Sequence, residues 1–227
     1  MDIDKIAYSD KISLLDTDAL IVVDMQNDFI PGGALAVPGG DEIVHGVNNL
    51  TKMFFETNHH VILTQDWHPP NHGSFASVHP GKNPFDEYTE EEGLGPVLWP
   101  DHCVQGSAGA QFHTDLETRF AHLIIRKGFH QKIDSYSTFL ENDKKTETGL
   151  DGYLQTVGVK RIFICGLALE YCDFFSARDA IEKGYEVVFV VDLTRGIDVP
   201  EGSVAEALAA MTNLGVQFAK SKDITIE

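Results

Sequence analysis

The run "ALIVVD", residues 19–24, decides the fold. It is apolar without a break until it reaches Asp24, and Ile21, Val22 and Val23 are β-branched. A strand with one face in water alternates apolar and polar residues. A strand that is apolar throughout is covered on both faces, as in parallel sheets. The same signature returns in "HVILTQD" (60–66), "HLIIRK" (122–127), "RIFICG" (161–166) and "YEVVFVVD" (185–192), and "VQFAKS" reads as a last strand. Helical segments lie between several of them. "DEIVHGVNNLTKMFFET" (41–57) places Ile43, Val47, Leu50 and Phe54 on one stripe, with Asp41 as the expected N-cap. "CDFFSARDAIEKG" (172–184) stops at Gly184, and "SVAEALAAMTNLG" (203–215) opens with a Ser203–Glu206 capping box and ends at Gly215. This alternation predicts an α/β three-layer sandwich: a mostly parallel central sheet flanked by helices, with right-handed crossovers.

The chain has 227 residues, 43% of them hydrophobic, which suits a single domain over 1–227. Residues 1–18 form an N-terminal extension. Residues 69–110, rich in Pro, Gly and His and with little periodicity, form an irregular insertion of the kind that usually serves a site. A formal net charge of −18, from 17 basic and 35 acidic residues, argues against a nucleic-acid partner. No apolar run approaches the ~20 residues needed to span a bilayer. The start, "MDIDKIAYSDKISLLDTD", carries acids throughout and does not read as a secretory signal. The expectation is a soluble, intracellular, cytoplasmic protein without a membrane partner; the sequence leaves a homo-oligomer open. The three cysteines, 103, 165 and 172, are too few and odd in number for a disulfide framework.

Chemically capable residues follow the strands. Asp24 ends one, Asp66 another with His68 just beyond, Lys127 a third, and Cys172 lies six residues past Gly166. In an open α/β sheet the carboxyl ends of the strands form one edge, where ligands bind, so these scattered residues are expected to converge. Cys172 falls where a helix is expected to begin. There the helix dipole and a nearby lysine would favour a thiolate, and a carboxylate such as Asp24 would take the proton. Cys165, inside a strand, reads as a small buried hydrophobe. A second constellation joins "DWHPPNH" (66–72) to "WPDHCVQG" (99–106). Asp66 and His68 point the same way in extended chain. With His102 they make a two-histidine, one-carboxylate site with open positions, suited to one divalent ion, Zn²⁺, Fe²⁺ or Mn²⁺. His72 is a fourth ligand or a neighbour of the ligands.

In this order, "VVDMQNDFIPGGALAVPGG", "QDWHPPNHGSF", "WPDHCVQGSAGAQFH", "KGFHQKIDSYSTF" and "GLALEYCD" resemble the nicotinamidases of the isochorismatase-like cysteine hydrolase superfamily. The resemblance runs from Leu20 to Gly196. It implies an isochorismatase-like fold and a catalytic triad of Asp24, Lys127 and Cys172. It also implies a metal held by Asp66, His68 and His102, a nicotinamide pocket lined by Phe29, Trp99, Tyr136 and Ala168, and a cis peptide before Ala168. The backbone N–H groups of Ala168 and Cys172 would form the oxyanion hole. The activity implied is hydrolysis of nicotinamide, and of pyrazinamide, for NAD salvage, with no organic cofactor. Two other readings compete: an amidase for an N-carbamoyl or ureido substrate, whose family members usually lack this metal set, and a catalytically silent metal-binding interaction module. The chain departs from its apparent relatives at Leu169, Glu170 and Asp173, where they commonly carry Thr, Asp and Val.

Overall fold

The computed structural model describes residues 6–226. The first half of the chain supplies β1 (Ile12–Ser13), β2 (Asp18–Val23), α1 (Val44–Glu56), β3 (His60–Asp66) and β4 (Leu123–Lys127). The second half supplies α2 (Leu150–Thr156), β5 (Arg161–Leu167), α3 (Phe174–Glu182), β6 (Glu186–Arg195), α4 (Ser203–Asn213), β7 (Gln217–Ala219) and β8 (Ile224–Thr225). Six strands form one sheet in the order β4-β3-β2-β5-β6-β7, and every pairing in it is parallel. β1 and β8 pair separately, also in parallel. From β2 the chain winds outward through β3 to β4, returns to the centre at β5, and winds the other way. The order therefore reverses between β2 and β5, and the crevice beyond their carboxyl ends is the natural ligand site of such a sheet.

The unbroken apolar runs have their cause here. Every residue of β2 is buried, as is all of β5 after Arg161. α1 lies against β2 and β3, and its Phe54 meets Phe163 of β5 edge-on at 5.2 Å. β4 is the exception. It lies at the sheet edge, alternates between half-buried and exposed residues, and leaves Ile124 46% exposed before ending on fully buried Lys127. Coverage on both faces thus holds for the inner strands but not for β4.

Gly166 explains how β5 comes so close to β2. Its φ is +131°, and a Cβ there would stand 2.1 Å from the Val23 carbonyl oxygen. Only glycine fits that approach.

Three local expectations are corrected. Asp41 does not cap α1 with its side chain; the helix starts at Val44, with Ile43 in the cap position. The Ser203–Glu206 box does not form either. Gly202, at φ +91°, precedes α4, and Asp198 Oδ1 instead accepts the N–H groups of Gly202 (3.0 Å) and Val204 (3.1 Å). Third, the stretch expected to be helical from Cys172 begins as a π-helical turn, Leu169–Asp173, and α3 proper starts at Phe174. The short α2 has no strong signal in the sequence, because Gly149 and Gly152 interrupt its pattern. The beginning of the 1–18 extension, residues 1–5, lies outside the described residues; Ile6 and Ile12 are buried. Among the described residues no helix is long and apolar enough to cross a membrane.

Candidate active site

Asp24 follows β2 at φ +46°, and Thr64 fixes it from both sides. The Asp24 N–H donates to Thr64 Oγ1 (3.1 Å), and the Thr64 hydroxyl donates to Asp24 Oδ1 (2.6 Å). Lys127, at the end of β4, reaches inward. Its Nζ stands 2.9 Å from Asp24 Oδ2 and donates to Asp66 Oδ1 (3.0 Å), the Ser135 carbonyl (2.8 Å) and Cys172 Sγ (3.4 Å). The strand ends therefore converge as expected. Burial works against the Lys127 charge, but Asp24 and then Asp66 outweigh it and hold the ammonium well above its usual pKa.

Cys172 is buried, and that burial pushes its thiol well above the ordinary range; Lys127 opposes the shift, while Asp24 and Asp66 reinforce it. Cys172 lies in the π turn that runs directly into α3, two residues before that helix begins at Phe174. Burial likewise raises Asp24, although Lys127 pulls it back. Asp24, joined to Cys172 through Lys127, is the carboxyl group available to receive the thiol proton.

Asp66, His68 and His102, all buried, bring ligand atoms within 4.8 Å of one another. Asp66 Oδ2 is 3.1 Å from His68 Nε2 and 3.5 Å from His102 Nε2. Backbone carbonyls orient both rings: His68 Nδ1 donates to Gly128 (2.9 Å) and His102 Nδ1 to Pro100 (2.8 Å), which turns each Nε2 toward the carboxylate. Gly128, at φ +68°, is needed for this, since a Cβ would stand 2.6 Å from His68 Cε1. His68 Nε2 is buried without a hydrogen-bond partner among the described residues, as an open ligand atom would be. Two imidazoles and a carboxylate fit a divalent ion with positions to spare. His72 is not in this trio. Its Nδ1 meets Ser74 Oγ (2.8 Å), its Nε2 meets the carbonyls of His130 and Ile133, and its ring centroid lies 4.3 Å from that of His68.

Between Cys172 of the triad and Asp66 and His102 of the trio lies a small pocket. Phe29, Trp99, Tyr136, Ala168 and Cys172 line it, together with Tyr171, which sequence reasoning missed. Trp99 Nε1 donates to the Tyr136 hydroxyl (3.1 Å), and Tyr171 meets Trp99 edge-on at 4.9 Å, so three aromatics brace one side. The Leu167–Ala168 peptide is cis.

This geometry can be set beside known proteins. The isochorismatase domain matches residues 18–223. The chain belongs to the isochorismatase family. Within the family it is 48% identical over 209 residues to the nicotinamidase of Acinetobacter baylyi, covering 92% of this chain and 94% of that one. Its fold matches the crystal structure of PnC1 from L. infantum in complex with nicotinate: TM-score 0.80, 38% identity, 96% of this chain and 100% of that one. It also matches the pyrazinamidase of Pyrococcus horikoshii in complex with zinc: TM-score 0.73, 38% identity, 90% and 99%.

The features missed in this isochorismatase-family chain are mostly supports. Gln26 holds Asp66 by its backbone: Nε2 donates to the Asp66 carbonyl (2.8 Å), and the Asp66 N–H donates to Oε1 (2.7 Å). Asp28 Oδ2 accepts the N–H of Cys103 (2.7 Å), which places His102 beside it. Both residues stand in "DMQNDF", directly after Asp24, and that adjacency was the available signal. Cys103 is fully buried, and burial pushes its thiol well up.

Proposed function

We propose that this protein is a metal-dependent cysteine amidohydrolase that converts nicotinamide and water to nicotinate and ammonia for NAD salvage, with pyrazinamide as a second substrate. One observation carries the reading. The Lys127-linked Asp24 and Cys172 face, across a small aromatic pocket, a two-histidine, one-carboxylate trio.

Nicotinamide enters with its ring among Phe29, Trp99 and Tyr136 and its carboxamide toward Cys172. Asp24 takes the thiol proton as sulfur bonds to the carboxamide carbon. Lys127 keeps Asp24 anionic until then and balances the charge that appears on sulfur. The oxyanion is held by the N–H groups of Ala168 and Cys172, and one such donor typically lowers the barrier by ~3–4 kcal/mol. Asp24 then protonates the departing nitrogen, and ammonia leaves a thioester. Asp24 next takes a proton from water as its oxygen adds to the thioester carbon. Collapse expels the Cys172 sulfur, which regains its proton, and nicotinate is released. Asp66, His68 and His102 would hold one divalent ion, with zinc favoured by likeness to the Pyrococcus horikoshii protein. Bound there, it supplies a Lewis acid for the pyridine nitrogen. Residues 1–227 act as one domain in this reading, with the 69–110 insertion contributing Trp99 and His102 and the cytoplasm as the setting.

The test is ammonia release from nicotinamide by the metal-loaded protein. We expect turnover by the parent and none above background by Cys172→Ala. A parent without turnover rejects the substrate, and an active variant rejects the nucleophile.

A further inference from the structure

Two of the residues around Cys172 that depart from the nicotinamidase pattern, Glu170 and Asp173, share a destination with Tyr171 between them. Glu170 is buried, and its Oε1 accepts the N–H groups of Ile197 (3.0 Å) and Asp198 (2.7 Å). Tyr171, next along, donates its hydroxyl to the Val199 carbonyl (2.5 Å). Asp173, on the other side of the nucleophile, accepts from the Thr194 hydroxyl at the end of β6. Three neighbours of Cys172 in the π turn are thus stitched to residues 194–199. That segment lies flush against the turn: a Cβ on Gly196 would stand 2.7 Å from Glu170 Oε2 and 2.5 Å from Val204 Cγ2. From it Ile197 lines the substrate pocket, as do Phe29, Leu35 and Val37.

Among the described residues, segment 194–199 has no strand partner beyond Arg195, which pairs with Leu167. The position of Ile197 therefore depends on side-chain acceptors more than on a backbone ladder. Glu170 supplies the largest share, because one carboxylate oxygen takes two consecutive N–H groups, and such charge-assisted bonds are the stronger kind. An aspartate, one methylene shorter, would withdraw the acceptor. The longer acid is what reaches both N–H groups here.

We propose that Glu170 is a positioning residue: it fixes Ile197 as a wall of the ring pocket and so sets which pyridine carboxamides this enzyme accepts. This rests on the nicotinamidase reading above. A wall held in place excludes ring substituents, whereas a released wall admits them and grips the unsubstituted ring less well. The effect falls on binding, because Glu170 touches neither sulfur nor Asp24 nor Lys127 among the contacts described.

The experiment compares the metal-loaded parent with Glu170→Ala, Glu170→Gln and Glu170→Asp, using nicotinamide and its 5-methyl and 6-methyl derivatives. For Glu170→Ala we expect KM for nicotinamide to rise about tenfold with kcat changed less than about threefold, as loss of ground-state positioning dictates. The kcat/KM of a methylated ring relative to nicotinamide should rise as well. Glu170→Gln, whose amide oxygen still accepts both N–H groups, should stay near the parent. Hydrogen exchange at the Ile197 and Asp198 amides should quicken in Glu170→Ala alone of these two. Should Glu170→Ala not fold, Glu170→Asp is read in its place and in the same direction. A folded Glu170→Ala with parental KM and selectivity overturns the proposal, as does Glu170→Gln impaired as badly as Glu170→Ala. A parent inactive on nicotinamide overturns the proposed function instead, which separates the two failures.

Discussion

An ammonium shut away from water needs anions to remain charged, and Lys127 has Asp24 at 2.9 Å and Asp66 at 3.0 Å. The carboxylates need it equally, since without it two buried acids would face each other. Asp173, one residue past the nucleophile, has no such ion pair among the described residues. It is fully buried, and that burial lifts its pKa to about 8, with only the Thr194 hydroxyl working strongly in the other direction. The consequence for stability has a definite sign. Below the ordinary aspartate value of 3.8 the group is protonated in both folded and unfolded chains and contributes nothing. Between that value and about 8 the unfolded chain releases the proton while the fold retains it, so folding becomes less favourable as pH rises. Asn keeps the shape and an acceptor for Thr194 but cannot ionise. Asp173→Asn should therefore unfold at higher urea than the parent near pH 8, by a few kcal/mol, and at the same urea near pH 4. A gain of equal size at both pH values would contradict the assignment.

Strands were legible at the scale of elements because burial on both faces writes itself into composition, as "ALIVVD" and "RIFICG" show. Helix ends were not, because caps depend on where distant backbone arrives. Ser203 and Glu206 satisfy the capping pattern, yet Asp198 does the capping across the turn that leads into α4. Asp198→Ala should cost about 1 kcal/mol in chemical unfolding, and Ser203→Ala much less. Equal costs would restore the sequence-based expectation. The π turn was hidden for a similar reason: nothing in "LEYCD" distinguishes it from the start of an α-helix until the bonds to residues 194–199 are drawn. The sequence places Gly166 at a strand end but cannot tell that Val23 presses on it. Gly166→Ala meets both a backbone clash and a forbidden φ, so we expect a loss above about 4 kcal/mol, seen as little soluble folded protein. A variant folding normally would mean that β2 and β5 lie further apart than described.

The whole molecule hangs the irregular insertion on the site. His68 donates its N–H to the Cys103 carbonyl (3.0 Å) and accepts from Gln105 (2.8 Å), Trp99 exchanges backbone bonds with Ser74 and Ala76, and Asp28 grips Cys103. His102 comes from this insertion, while Asp66 and His68 come from the end of β3, so an ion among the three would tie insertion to sheet. Chelation should lower the Tm, speed proteolytic cleavage between residues 69 and 110, and be reversed by zinc. An unchanged Tm in protein shown by elemental analysis to have lost its metal would remove that role. The seam between β2 and β5 has a different consequence. It aligns Asp18 with Arg161 and Val23 with Gly166, and Arg161 also clasps Asp18 through two hydrogen bonds, a contact across 143 positions of chain. The proton acceptor belongs to one side of this seam and the sulfur to the other. A chain still being synthesised holds both carboxylates and the lysine long before it holds anything for them to activate. On refolding, the return of ammonia release must then wait for the most distant pairing in the sheet, trailing helix formation and collapse, so that hydrolysis itself times the slowest step.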